Sequence, residues 1–370
     1  MTPAKQAKTE TDNKCNVNPM MIRLARESRG LTQKDLAHAL GLSQATICKY
    51  ELGTAPVPVA DLQAIAGALE YIVPFFYLED QVYGRGNTMV FHRKRVRISA
   101  KVQTRVNADI NIRKMQLASL LRASEIKADY TFPSLSIDEY NHNPEVVART
   151  VREVWQLPAG PIPNLTHVVE NAGGVVLHVD FGTKLIDGIH LWLSGLCPVF
   201  FMNQNVPGER YRYSLAHEIG HAVMHRTAIG GDVEEEANRF ASELLMPRSV
   251  VRADLHGFSL KVAERLKPVW KVSMQALTMR AWQLRLISNR ARQGLFSRLG
   301  ARGYRIDEPW PIPLEEPRVF DRLVSFHRDE LGLSDDEMMH VMFTKHLGPD
   351  WKPDPAQPQL RVVGDESLFD

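Results

Sequence analysis

Between Ser214 and His225 the chain reads SLAHEIGHAVMH, and no other stretch constrains the fold as much. A helix turns once in 3.6 residues, so His217 and His221 fall on one face a turn apart. Their imidazoles can converge on a single ion. Leu215, Ile219 and Ala222 form the adjoining apolar stripe. Such a helix must pack one side on a core and turn the next side to a cleft. Glu218 sits beside the histidines, where a carboxylate can take a proton from water that a metal has activated. HExxH is a short pattern, and a helix whose histidines face solvent or bond within the core reads the same way.

A zinc site needs a third protein ligand. His225 lies four residues beyond His221, but three histidines at this spacing advance about 6 Å per step along the helix axis. One ion cannot face all three, so His225 is expected to support the site from behind or to be structural. The next segment, EEEANRFASELLMP, offers carboxylates. Its apolar face is Ala237, Phe240, Ala241, Leu244 and Leu245. Helical geometry places Glu234 at the inner edge of that face, Glu235 nearly opposite, and Glu236 between the two. Glu234 is therefore the expected third ligand of Zn2+, with Asn238, one turn on, as a hydrogen-bonding support.

A second pattern stands near the start. GLTQKDLAHALGLSQATICKYELG spans two short helices around a tight turn. Leu36, Ala37 and Leu40 make one apolar face, and Leu42, Ile47 and Tyr50 the other. Gly41 can take the positive φ that the turn requires, and Ser43 is a natural N-cap. This is the sequence form of a helix-turn-helix, in which the second helix enters the major groove of double-stranded DNA. Gln44, Ala45, Thr46 and Lys49 are the expected contacts on its outer side, with Ser43 at its start. Gln can pair with adenine, Thr can meet a thymine methyl, and Lys49 suits a phosphate. Gln33, on the preceding helix, is a candidate for holding the DNA backbone. A helical protein-interaction module would share the same packing.

The 370 residues are too many for one ordinary domain. The chain divides into a polar tail (1–18), expected to be disordered, a helical head (19–78), a basic helical connector (79–142), a mixed unit (143–290) and a helical C-terminal region with a loose tail (291–370). Residues 91–116 hold eight Lys and Arg against the single Asp109. A solvated helix face accounts for such a run, and so would extra phosphate contacts. The net charge of +2 confines any nucleic-acid affinity to a local patch. Cys15, Cys48 and Cys197 are odd in number and far apart, which argues against a disulfide framework. No apolar run is long enough to span a bilayer, and the N-terminal stretch lacks the apolar core of a signal peptide. The expected location is the cytoplasm, with no membrane partner.

In the mixed unit, VVLHVD, HLWL and PVFFMN read as short strands. Residues 274–290 read as one helix, and a further helical stretch is expected around 316–346. The expected fold class is α+β and mainly helical: an all-α head, then a short mixed sheet with the HExxH helix, then helices.

Two resemblances bear on function. TQKDLAHALGLSQATICKYELG, with the later LQAIAGALEY, resembles the Xre family of phage-repressor-type DNA-binding domains over about residues 19–76. AHEIGHAVMH and EEEANRFASELLMP resemble the ImmA/IrrE family of zinc metallopeptidases. So do ARTVREVWQLPAGPIPNLTHVVENAGGVVLHV, Asp187–Gly188 and PVFFMNQN, over about 143–290. The second resemblance implies a small gluzincin-type zincin fold. By motif position His217, His221 and Glu234 hold zinc and Glu218 is the general base. The best-understood members of that family cleave Xre-type repressors and so switch on prophage or stress-response genes. Together the two imply a DNA-binding transcriptional regulator carrying a zinc-dependent endopeptidase. Its expected partners are an operator, a protein substrate such as a repressor in a stress, prophage or toxin–antitoxin-like circuit, and a second copy in a homodimer. The other reading is a non-catalytic repressor or antitoxin whose zincin fold senses a signal or binds a partner. A substrate strand is expected to pair with the edge strand near PVFFMN, by analogy with other zincins.

Overall fold

The computed structural model describes residues 17–79, 98–126, 128–193, 197–225, 232–345 and 361–362. The polar tail to residue 16, the basic run up to residue 97 and nearly all of the tail beyond 345 lie outside them. Two compact units emerge. One holds the N-terminal head, Thr104–Gln116 and the stretch from Ser334; the other holds Leu117–Leu333.

The first unit begins with α1 (Pro19–Ser28), whose N-cap Asn18 precedes a proline at the first helical position. A capping box between Thr32 and Asp35 starts α2 (Gln33–Leu40), and Gly41 ends it at φ +66°. Ser43 accepts from the Thr46 amide to start α3 (Gln44–Leu52). α4 (Val59–Leu69) and a 3-10 turn at Val73–Tyr77 close the bundle. Met21, Ile22, Leu36, Ile47, Ile65 and Phe75 are fully buried at its centre. Arg26 grips Glu51 with two bonds, of 2.5 and 2.9 Å, and Gln33 Nε2 donates to the same carboxylate at 2.8 Å. That buried pair ties α1, α2 and α3 together.

The basic segment does more than link. α5 (Ala100–Leu120) buries Ala108, Ile112 and Met115 in the head's own core. The chain comes back to the same unit at its other end. There α15 (Asp335–Met342) leads to Phe343, which packs in that core and accepts from the Ile72 amide. Gln116 Nε2 donates to the Met342 carbonyl at 2.8 Å.

In the second unit, β1 (Ser124–Glu125) pairs antiparallel with β5 (Arg361–Val362). α6 (Pro144–Val154) and α7 (Leu165–Asn171) lead to a three-stranded mixed sheet of β2 (Val175–Val179), β3 (Gly188–Trp192) and β4 (Pro198–Asn203). The order is β2-β4-β3, with β4 parallel to β2 and antiparallel to β3. PVFFMN is thus the central strand, buried along its whole length and paired on both sides. The edge strand next to it, on the side of the HExxH helix, is β3.

α8 (Gly208–Met224) and α9 (Val233–Leu245) follow, then α10 (Arg248–Asp254), α11 (Leu260–Trp270), α12 (Met274–Gln283), α13 (Asn289–Ala301) and α14 (Val319–Ser325). The expected helix over 274–290 is two. Arg285 takes φ +58°, and Ser288 caps a new start. The expected stretch over 316–346 is broken by a π-turn at Phe326–Glu330 and by Gly332 at φ +67°. Among the described residues no helix is long and apolar enough to cross a membrane.

A proline-rich strap at residues 308–319 locks the start of α8. Lys267, fully buried, bridges Glu209 (2.7 Å) and Glu308 (3.1 Å). Arg212, also fully buried, pairs with Glu315, whose carboxylate accepts from Thr166 as well. Glu170 accepts from the amides of Arg318 and Val319. Gly208 makes the approach possible, because a Cβ there would lie 2.3 Å from the Ile312 carbonyl oxygen.

Candidate metal centre and nucleic-acid interface

α8 presents its motif because its other sides are sealed. Leu215, Ile219 and Ala222 are fully buried against the sheet and neighbouring helices. Gly220 lets α9 approach closely: a Cβ at that position would meet Phe240 Cδ1 at 3.0 Å. On α9, Ala237, Phe240, Ala241, Leu244 and Leu245 face inward as their periodicity requires. Arg239 clasps Glu145 of α6 with bonds of 2.6 and 3.0 Å, and Arg280 pairs with the buried Glu243. These contacts bring the first turn of α9 to the histidines.

His217, His221 and Glu234 gather with their ligand atoms all within 4.8 Å of one another. His217 Nε2 and His221 Nε2 are 3.0 Å apart. Glu234 Oε1 is 3.4 Å from His221 Nε2, and Oε2 is 3.8 Å from His217 Nε2. Two ligands each about 2.0–2.1 Å from a tetrahedral ion stand roughly 3.3 Å apart. The observed edges bracket that value, and the donor set of two imidazoles and a carboxylate suits a divalent metal. The residues present therefore fit the group. Because the side chains of His217 and Glu234 are 13% and 29% exposed, against none for His221, the triangle opens toward solvent on one side.

Glu218 reaches β3. Its Oε2 accepts from His190 Nδ1 at 2.7 Å. Gly188 makes room, since an added Cβ would stand 3.2 Å from Glu218 Cγ and 2.8 Å from Met202 Sδ. The His190 and His221 rings lie nearly parallel, 6.0 Å apart. Sequence reasoning missed His190. The signal was a polar residue within an otherwise apolar strand, on the same side as Gly188.

His225 closes α8 as its C-cap residue and sits behind His221, not beside the triangle. Burial holds its imidazole below the ordinary pKa against the pull of Glu236. Glu236, left between inward and outward by periodicity, bonds His225. Asn238, the expected support of Glu234, lies one turn farther along α9; its carbonyl accepts from Tyr213, and the residue helps line a cavity of about 1160 Å³ with Glu235 and Arg239.

In the head, Gln44, Ala45 and Lys49 are exposed along the outer face of α3. Thr46 is half-buried, and its hydroxyl lies 2.8 Å from Ser43 Oγ, a bond that leaves its methyl group uncommitted. Gln33 is spoken for by Glu51, which makes it a brace of the helix pair.

Comparison with known proteins gives two family matches. Residues 22–72 match the family model described as helix-turn-helix, and residues 169–281 match the IrrE N-terminal-like domain. No curated protein matches the chain.

Proposed function

We propose, from the premise that the chain joins an Xre-type helix-turn-helix domain to an ImmA/IrrE-like, metallopeptidase-type domain, that it is a DNA-binding regulator whose second domain is a zinc-dependent endopeptidase acting on a regulatory protein such as a repressor. The observation that carries this reading is the convergence of His217, His221 and Glu234 with Glu218 one residue along the same helix. In this reading the three hold zinc. When bound, the ion supplies Lewis acidity, which polarises a peptide carbonyl and makes water a better nucleophile. Glu218 takes the proton from the attacking water and can return it to the leaving amine. His190 donates to one oxygen of that carboxylate and so fixes its orientation. A substrate strand adds to the edge of β3, which carries His190 past the site. The head docks α3 in the major groove, with Gln44 and Lys49 as contacts and a second copy on the other half-site.

The test compares wild type with Glu218→Gln in cells under DNA-damage, oxidative and phage stress, reading new protein termini by mass spectrometry. The expected result is one cleaved end in wild type that the variant lacks, while the purified variant keeps one zinc per chain. Identical termini and identical regulation of a reporter in both strains would replace catalysis with the reading of a non-catalytic regulator.

A further inference from the structure

Behind the three metal-facing groups runs a chain of hydrogen bonds. Glu236 Oε2 stands 2.9 Å from His225 Nε2, and His225 Nδ1 stands 2.9 Å from His221 Nδ1. On its other side His221 presents Nε2 to His217 and Glu234. The direction of every bond follows from the carboxylate. An ionised carboxylate only accepts, so His225 donates to it from Nε2. A neutral imidazole protonated at Nε2 has its lone pair on Nδ1, so His225 accepts there. His221 must then donate from Nδ1, which leaves its lone pair on Nε2. That is the atom facing the triangle. One carboxylate therefore sets two tautomers in series. Packing holds the rings in place: the side chains of His221 and His225 are 0% and 4% exposed, and Glu236 is 15% exposed.

We propose that Glu236 and His225 are positioning residues that hold His221 in its ligand tautomer and orientation and so strengthen metal binding. The proposal rests on the metal-site reading above. His225 is the last link of α8 and Glu236 lies in the first turn of α9. The relay thus also joins the helix that supplies two ligands to the one that supplies the third. It differs from the usual single carboxylate behind a ligating histidine, because a second imidazole carries the constraint.

The experiment uses the full chain, stripped with a chelator and titrated with zinc against a chromophoric competitor. Cobalt is the second probe, since its visible spectrum reports ligand geometry. Glu236→Ala and His225→Leu are expected to bind one zinc about 10–100-fold more weakly than wild type and to alter the cobalt spectrum. Glu236→Gln, whose amide oxygen can still accept from His225, should bind more tightly than Glu236→Ala. Zinc-free unfolding midpoints show whether each variant folds. Where His225→Leu does not fold, the Gln and Ala variants at position 236 carry the comparison. Wild-type affinity in Glu236→Ala, with zinc lost in Glu234→Ala, overturns the relay and leaves the metal site standing. Wild-type affinity in Glu234→Ala overturns the metal site itself.

Discussion

Replacing Gly208 with alanine tests whether the 308–319 strap locks the helix that carries the HExxH motif. In an open helix the change would stabilise by up to about 1 kcal/mol. Here the added Cβ would meet Ile312 O at 2.3 Å, Pro313 O at 2.5 Å and Pro313 C at 2.8 Å. All three are backbone atoms, so no side chain can swing away. Ordinary contact begins near 3.4 Å, and the strap would have to retreat by about 1 Å. It is held on both sides: the Ile312 amide donates to Glu209, and Glu315 pairs with Arg212. Overpacking of this kind costs about 1–3 kcal/mol. Unseating the strap also leaves the fully buried Arg212 guanidinium facing no carboxylate, and a buried charge stripped of its partner costs about 3–5 kcal/mol. These losses outweigh the helix gain by at least about 3 kcal/mol, which corresponds to a fall in Tm of at least about 6 °C for a unit of this size. Calorimetry of Gly208→Ala beside Gly294→Ala reads the difference. Gly294 lies within α13 with no atom near its missing Cβ, so alanine there should leave Tm unchanged or raise it slightly. If Gly208→Ala melts with wild type, the strap is not locked and the reasoning fails.

Two further outcomes follow from the same structure. Gln44→Ala is expected to weaken operator binding by about 1–3 kcal/mol, and Lys49→Ala to reduce the salt slope of binding by about one. Unchanged affinity at physiological salt in both would remove α3 from the groove. Burial pushes the Glu170 carboxyl up to about 7, despite bonds from the Val319 and Arg318 amides that pull it down. A raised carboxyl contributes stability that is complete below its unfolded value near 4.5 and lost as pH rises through about 7. Glu170→Gln removes that loss. Relative to wild type it should therefore gain up to about 3 kcal/mol between pH 5 and pH 8 in urea unfolding. An equal stability difference at the two pH values would contradict it.

Much of the site was legible because it is helical. The 3.6-residue period put His217 and His221 on one face and marked Glu234 as the inward carboxylate of the next helix, and the three gather in the structure. The same period excluded His225 from the triangle. Where periodicity was indifferent the sequence was silent. Glu236 sits at an angle that admits either direction, and only the position of α8 decides that it turns to His225. His190 depends on which strand is the edge, a long-range property that alternation within a strand cannot report. The strand order was equally hidden, since PVFFMN looks like an edge or a centre until β2 is seen on its far side. In the head, Gly41 and Ser43 announced the turn, whereas the burial of α5 depends on a stretch more than 200 residues away returning to the same core.

The stretch matched by the IrrE N-terminal-like domain ends at residue 281, but the forces that position its HExxH helix do not. Cutting there removes Glu308 and Glu315, so Lys267 loses one of two carboxylates and Arg212 loses the one opposite it. Both cations are fully buried beside the first turns of α8. On the other side, a start at residue 169 removes α6, whose Glu145 clasps Arg239 and whose Arg152 holds the carbonyl of Leu244. α9 would then lose the contacts that bring Glu234 to the histidines. Unpaired buried charges cost more than the exposed pairs elsewhere on the surface can return. A piece running from the segment before α6 through the 308–319 strap is therefore expected to keep His217, His221 and Glu234 together, whereas one cut to 169–281 is expected to lose that arrangement, as thermal melting and zinc titration of the two pieces would show.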